Sequence, residues 1–162
     1  MDVSDQLAAR VGDALKEAAE LYHRLVLVVG PPHGGKSELL RRVAEQAGAP
    51  YLNVNLELSR CLLDLSERQR TLRAVTLLRE IVGGEDGAVV LDSIGILFDR
   101  SLRLDPLRCL QDLSRNRVVV AAWDGWIDGK LLTYARPEHP EYYRAPARGL
   151  LLVPMGEPEV GP

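Results

Sequence analysis

Residues 25–37 read LVLVVGPPHGGKS, and this stretch decides the fold. The apolar, β-branched run 25–29 is typical of a strand buried on both faces of a parallel sheet. It is followed by GPPHGGKS (30–37), which matches the phosphate-loop pattern GxxxxGK[ST] in full. Residues 36–47 have helical apolar spacing, and Gly48 supplies a stop. Strand, loop and helix together predict the first unit of an α/β P-loop NTPase core.

The residue types of the 30–37 loop suit phosphate chemistry. Glycines allow backbone N–H groups to turn inward around phosphates, and the following helix N-terminus adds unpaired donors. We expect Lys36 to contact the β- and γ-phosphates of ATP and the Ser37 hydroxyl to bind Mg²⁺. The predicted nucleotide-binding residues are Gly30, His33, Gly34, Gly35, Lys36, Ser37 and Glu38.

The rest of the chain extends this unit into a layered domain. Apolar runs predict further strands at 51–54, 88–91, 118–122 and 149–153. Apolar spacing predicts helices at 4–23, 59–82 and 106–114. Alternating helices and strands indicate a parallel sheet sandwiched by helices. We therefore expect a five-stranded parallel sheet in the order 5-1-4-3-2.

The motif positions also predict the domain organisation. Residues 1–153 are expected to form one P-loop NTPase domain, with an N-terminal helix within 1–24 and an aromatic and proline-rich insertion at 123–147. A flexible tail is expected at 154–162. Because so few residues follow the fifth strand, we expect no C-terminal helical lid of the kind that AAA-type ATPases carry.

Composition excludes several classes of protein. The chain has 162 residues, 46% of them hydrophobic and 27% charged, with a net charge of −3. This balance is that of an ordinary soluble domain rather than of a basic nucleic-acid coat. Its two cysteines form no CxxC pair, so neither a disulfide framework nor a zinc site is indicated. The absence of a long apolar run and of a signal peptide favours a cytoplasmic location without membrane contact.

A second half of the site is predicted at the end of the third strand. The apolar residues 88–91 lead directly into Asp92, which resembles a Walker B carboxylate. Asp92 and Ser37 are therefore the predicted Mg²⁺ residues. Many related ATPases place Glu after this Asp to orient the attacking water, but Ser93 occupies that position here. Hydrolysis is then slow or absent, or another carboxylate acts as the base.

Two carboxylates are candidates for that catalytic role. Glu57 follows the second strand, where RecA-like ATPases carry their Glu, although an ordinary solvated helix-start acid fits equally well. Asp124 ends the fourth strand at the sensor position, but an acid beside the γ-phosphate repels it unless a cation lies between them. Asp124 is equally compatible with a turn at Asp-Gly. Asn53 and Asn55 either approach the γ-phosphate or serve as turn residues.

Arginines before the fifth strand predict a shared site. Arg144 and Arg148 lie where AAA-type subunits carry the arginine finger that enters a neighbour's nucleotide site. An arginine finger at this position favours a homo-oligomer. The alternative is that Arg144 and Arg148 are ordinary solvated surface residues, which need no partner.

Most aromatic residues fall in one segment, 123–143, which holds both tryptophans and three of the five tyrosines. One interpretation is that these rings pack on the edge of the core. The other is a surface for a neighbouring subunit, a partner protein or a nucleic-acid base.

Several segments together resemble BrxF, a family of small P-loop proteins of BREX phage-defence systems. They are GPPHGGKS (30–37), NVNLELS (53–59), VVLDSIGILFD (89–99), DPLRCLQDLSRNRVVVAAWDG (105–125) and LTYARPEHPEYY (132–143). The resemblance implies a bacterial cytoplasmic ATP-binding protein that works beside a DNA methyltransferase, a PglZ-type protein and a large ATPase. Any contact with DNA is expected to be indirect or weak. Family roles carry over to Gly35, Lys36, Ser37 and Asp92.

The sequence therefore predicts an Mg-ATP-binding protein with weak or partner-stimulated hydrolysis, acting in a phage-defence complex. A small-molecule kinase is one alternative, although residues between the third and fourth strands show no obvious arginine-rich lid. A non-hydrolysing, nucleotide-dependent scaffold is the other alternative, and Ser93 is compatible with it.

Overall fold

The computed structural model describes residues 2–84 and 86–155. Within these ranges the helices are α1 (Val3–Ala18), α2 (Lys36–Ala47), α3 (Val54–Leu62), α4 (Glu67–Val82) and α5 (Pro106–Leu113). The strands are β1 (Leu25–Gly30), β2 (Tyr51–Asn53), β3 (Val89–Asp92), β4 (Val119–Asp128), β5 (Leu131–Tyr134), β6 (Tyr143–Pro146) and β7 (Leu151–Pro154). Short 3₁₀ helices at Gly95–Phe98 and Arg100–Leu102 connect β3 to α5. No helix in the described ranges has the length and apolar character that a membrane crossing requires.

The sheet is mostly parallel, and β4 is the middle one of its five parallel strands. β1 pairs in parallel with β4 on one side and with β7 on the other. β3 continues the sheet beyond β4, and β2 lies beyond β3. The resulting order is β2-β3-β4-β1-β7. Because β7 is the strand predicted at 149–153, the α/β class and the order of the five parallel strands are confirmed.

The expected number of strands is wrong, because the described residues form seven strands rather than five. β4 does not end at 122 but continues to Asp128, and β5 and β6 follow it as antiparallel partners. The predicted insertion at 123–147 is therefore a sheet extension. Hydrogen bonds from buried groups hold it: the Trp123 Nε1 donates to the Thr133 carbonyl at 2.9 Å, and the Thr133 Oγ1 donates to the Trp126 carbonyl at 3.0 Å.

The aromatic rings of this extension pack against one another. Phe98 stacks on Tyr134 with ring centroids 3.6 Å apart, and it meets Trp123 edge-on at 5.2 Å. Tyr143 packs beside Trp123 at 5.8 Å, and Trp123 is fully buried. These contacts are those of the core-packing interpretation, in which the rings seal the edge of the core.

Several helix boundaries differ from the predictions. α1 ends at Ala18 rather than 23. Tyr22 therefore does not continue its apolar face: it is 68% exposed, and the Arg115 guanidinium lies over its ring. The predicted helix 59–82 is two helices, and the first already begins at Val54. It begins there because the Asn53 side chain accepts a hydrogen bond from the Leu56 amide and caps the helix.

Other local predictions are confirmed. Ser66 and Gln69 form the expected capping box of α4, and Asp105 caps α5 ahead of Pro106.

The predicted tail at 154–162 is wrong at its start, because Pro154 belongs to β7 and the Met155 amide donates to the Val29 carbonyl. Residues 156–162 of that tail lie outside the described residues.

Each face of the parallel sheet carries its own apolar core. Alternate residues of the strands point to opposite faces. Val28, Val90 and Ala122 pack with α1 and α2 on one face. Leu27, Leu91 and Ala121 pack with α3, α4 and α5 on the other face. A residue two positions after Val28, Val90 or Ala122 therefore points to the face that α1 and α2 cover.

Gly125 allows β4 to approach β5, and its replacement tests the antiparallel extension. A Cβ added at Gly125 would lie 1.9 Å from the Thr133 carbonyl oxygen and 3.0 Å from the Trp123 Nε1. We expect Gly125→Ala to destabilise the protein by about 3 kcal/mol, the cost of forced overpacking. Chemical unfolding in urea, followed by tryptophan fluorescence, measures the change.

Gly12→Ala is the matched control for this substitution. Gly12 lies within α1 and has open space around its Cα, so alanine should raise stability by about 0.5–1 kcal/mol. A loss of similar size in both variants would contradict the close approach at Gly125.

Candidate functional site

The candidate site lies at the carboxyl edge of the parallel sheet, on the face covered by α2. Gly30, Asp92 and Asp124 each follow by two residues a core residue of that face, so they continue the same row. Gly30 and Asp124 are also register partners on β1 and β4. The fold thus brings the predicted loop and the two predicted strand-end carboxylates to one edge, where sites of open α/β sheets form.

The 30–37 loop delivers the N-terminus of α2 to this edge. The Gly34 amide donates to the Pro31 carbonyl at 3.2 Å and closes a turn. His33 and Gly35 then adopt positive φ angles of 62° and 87°. Gly35, at the N-cap position of α2, has no side chain to cap the first turn. The amide donors of that turn are left for an anion.

Lys36 is the buried cation of the site. Its side chain is only 5% exposed. The Nζ donates to the Gly30 carbonyl at 3.0 Å and to the Pro31 carbonyl at 2.5 Å, and it lies 2.8 Å from the Asp124 Oδ1. An ammonium has three protons, and these acceptors use all three. An incoming phosphate must therefore displace at least one of them.

Asp92 is anchored at both carboxylate oxygens. Its Oδ1 accepts from the Ser93 amide at 2.8 Å, and its Oδ2 accepts from the Tyr51 hydroxyl. Ser93 has a positive φ of 52°, a left-handed conformation that is unusual for a residue with a side chain. Asp92 is also buried. Its carboxylate is consequently held in one orientation.

The Tyr51 hydroxyl is a proton donor in this contact. Burial, followed by the hydrogen bond to the Asp92 carboxylate, raises the pKa of Tyr51 to about 12. The Arg41 guanidinium and the Ser37 hydroxyl act in the opposite direction on the same pKa. The phenol therefore keeps its proton across the physiological range.

The donor set fits Mg²⁺ bound together with phosphate. Ser37 and Asp92 offer a hydroxyl and a carboxylate oxygen, the hard ligands that Mg²⁺ prefers. Within residues 2–84 and 86–155, no group of three or more His, Cys, Asp or Glu side chains is arranged to hold a metal ion. Mg²⁺ commonly uses one or two protein ligands and completes its shell with phosphates and water.

Glu57 is not brought into contact with this cluster. It lies on α3, which packs on the opposite face of the sheet, and its carboxylate is 3.6 Å from the Arg60 guanidinium. Asn55 has a structural partner, since its side chain accepts from the Ile96 amide at 2.6 Å. Asn53 caps α3. The catalytic role of Glu57 stays a prediction.

The remaining predicted site residues lie at the surface. Arg144 on β6 and Arg148 ahead of β7 are exposed, and neither forms an ion pair in the part of the chain that the structure describes. His33 in the loop and Glu38 in the first turn of α2 are exposed as well. Their predicted roles are not tested by this geometry.

Tyr51 is the site residue that sequence reasoning missed. It is the register partner of Val90, so its long side chain reaches the residue two positions further along β3, which is Asp92. The only sequence signal is a tyrosine at the start of a short strand. Only the pairing of β2 with β3 in this register shows that the tyrosine side chain can reach Asp92.

No protein-family model matches this chain, and no curated protein matches it. Among solved structures, the structure of C. elegans PCH-2 is similar, with 18% sequence identity and a TM-score of 0.37. The match covers 86% of this chain and 38% of the PCH-2 chain, so this chain spans well under half of that protein. A TM-score this low does not establish a shared fold.

If phosphate binds at Lys36, Asp124 competes with it for the ammonium, and neutralisation of Asp124 tests this competition. We expect Asp124→Asn to raise the affinity for ATP about fivefold, equivalent to about 1 kcal/mol, because an anion beside Lys36 is removed. Equilibrium binding of a fluorescent ATP analogue measures the change. Asp128→Asn, an exposed position on the same strand, is the control and should leave the affinity unchanged. Weaker binding by Asp124→Asn would show that Asp124 assists the ligand.

Proposed function

We propose that this chain binds Mg-ATP at the 30–37 loop and hydrolyses it weakly or only when stimulated by a partner. The observation that carries the proposal is the buried Lys36 ammonium, held at the sheet edge beside the uncapped N-terminus of α2. A buried cation together with the donors of an uncapped helix start forms an anion site for which phosphate is the fitting ligand.

Each residue of the site has a defined task in this proposal. The amides of the loop and of the first turn of α2 bind the phosphate oxygens. Lys36 moves from Asp124 to the β- and γ-phosphates. Ser37 and Asp92 hold Mg²⁺, which supplies neutralisation of the phosphate charge when it is bound. Asp124, once separated from Lys36, lies beside the ligand at the point of β4 where its pairing with β1 ends.

Slow turnover is expected because Ser93 replaces the usual carboxylate after Asp92. A serine hydroxyl is a poor general base near neutral pH. Asp124 and Glu57 are the proposed substitutes. Asp124 lies in the site but is bound to Lys36, whereas Glu57 must be brought closer. Both observations agree with an enzyme that needs a partner to become active.

The partners in this proposal are other copies of the chain and other proteins of a BREX-type defence complex. Arg144 and Arg148 are exposed and therefore available to a neighbouring subunit's nucleotide. The resemblance to BrxF suggests a methyltransferase, a PglZ-type protein and a large ATPase as the wider complex. DNA contact would then be indirect or weak, in keeping with the net charge of −3.

A non-hydrolysing scaffold is the second candidate function. Ser93 favours it, because a site without a base would bind ATP and retain it. Such a scaffold predicts tight ATP binding without phosphate release, even in the presence of DNA and partner proteins.

Replacement of Lys36 is the central test of nucleotide binding. Lys36→Ala removes a charge-assisted contact of about 1.5–3 kcal/mol, so ATP affinity should fall at least tenfold and phosphate release should be lost. Calorimetric binding and a phosphate-release assay measure the two effects, and circular dichroism checks folding. Lys16→Ala, an exposed position on α1, is the control. Equal binding by the wild type and Lys36→Ala would overturn the proposal.

Mixing two inactive variants tests the arginine contribution in trans. If Arg148 acts on a neighbour, Arg148→Ala should lower phosphate release about 10³-fold without weakening ATP binding. Mixing it with Lys36→Ala should restore part of the activity, since hybrid interfaces combine an intact loop with an intact arginine. The mixing experiment is repeated with Arg144→Ala in place of Arg148→Ala. Absence of rescue in both mixtures, together with turnover per subunit that does not rise with protein concentration, would contradict a shared site.

A further inference from the structure

Tyr51 is a contact of the site that the proposed function does not use. It is the first residue of β2, and its side chain extends along the sheet to the neighbouring strand. There its hydroxyl donates to the Asp92 Oδ2. Asp92 is buried, so this hydrogen bond is shielded from competing water.

The ring of Tyr51 is held from the helix side as well. The Arg41 guanidinium of α2 lies over it, 5.4 Å from the ring centroid. Arg41 comes one helical turn after Ser37, so both side chains lie on the same side of α2. Tyr51 therefore connects α2 to Asp92 at the end of β3.

The two hydrogen bonds of Asp92 leave its carboxylate little freedom to rotate. The Ser93 amide holds Oδ1 at 2.8 Å, and Tyr51 holds Oδ2. Groups that hydrogen-bond to a metal ligand orient it, and their loss commonly costs 10–100-fold in metal affinity. The Ser93 contact depends on the backbone, whereas the Tyr51 contact depends on one hydroxyl.

We propose that Tyr51 is a positioning residue that orients Asp92 for the divalent cation of the nucleotide complex. This inference rests on the proposed Mg-ATP function. Tyr51 itself does not touch the ligand in this proposal. It acts through Asp92, and its hydroxyl rather than its ring is the group that matters.

Tyr51→Phe removes the hydroxyl and keeps the ring under Arg41. We expect the Mg²⁺ concentration for half-maximal binding of a fluorescent ATP analogue to rise about tenfold. Binding of the same analogue in excess EDTA should not change, because the phosphate contacts are intact. Tyr22→Phe, which removes the hydroxyl of an exposed tyrosine outside the site, is the control. Thermal unfolding confirms that both variants are folded.

A double-mutant cycle with Asp92→Asn separates orientation from a general structural effect. If Tyr51 acts through the carboxylate, Tyr51→Phe should have no further effect on the Mg²⁺ requirement in the Asp92→Asn background. An undiminished effect in that background would overturn the inference. So would an equal loss of binding with Mg²⁺ and in EDTA, because the hydroxyl would then act on the nucleotide.

The wild type distinguishes failure of this inference from failure of the proposed function. If the wild type binds the analogue only weakly, and Mg²⁺ does not improve binding, the Mg-ATP function fails. If the wild type requires Mg²⁺ and Tyr51→Phe requires the same concentration, the function stands and the role of Tyr51 is overturned.

Discussion

A buried ammonium must be surrounded by acceptors, and this requirement organises the site. The partners of Lys36 come from the end of β1, from the loop that follows it and from Asp124 within β4. These elements meet because β1 and β4 are neighbours, with Gly30 opposite Asp124. The chain's own acceptors thus satisfy this cation. Any anion that binds to Lys36 must replace at least one of these three acceptors.

The parallel part of the fold could be predicted from sequence, because its signals are local. The apolar run 25–29, the loop that follows it and the Gly48 stop each have a single common structural solution. Asp92 could be placed for the same reason, since it ends a buried strand. Strand-end residues of a parallel sheet share one edge, so the grouping of Asp92 with the loop needed no knowledge of distances.

The remaining features depend on contacts between distant residues. The β5–β6 extension requires Gly125 to face the Thr133 carbonyl. No local sequence pattern predicts this contact. The reach of Tyr51 to Asp92 requires the register of β2 on β3. Asp124 was expected to repel phosphate unless a cation intervened, and no local pattern predicts that the Lys36 Nζ lies 2.8 Å from its Oδ1. Asn53 shows a further limit, because the same amide suits a turn, a ligand or a helix cap.

The continuity of β4 has a structural consequence. This strand runs uninterrupted from Val119 to Asp128, and Asp124 lies where its parallel neighbours give way to an antiparallel one. At about 3.3 Å per residue, the strand end lies roughly 13 Å beyond Asp124. The residue that pairs with Lys36 and the residues that begin the antiparallel β4–β5 hairpin therefore belong to one unbroken strand, so continuous backbone connects the ion pair to the outer end of the sheet.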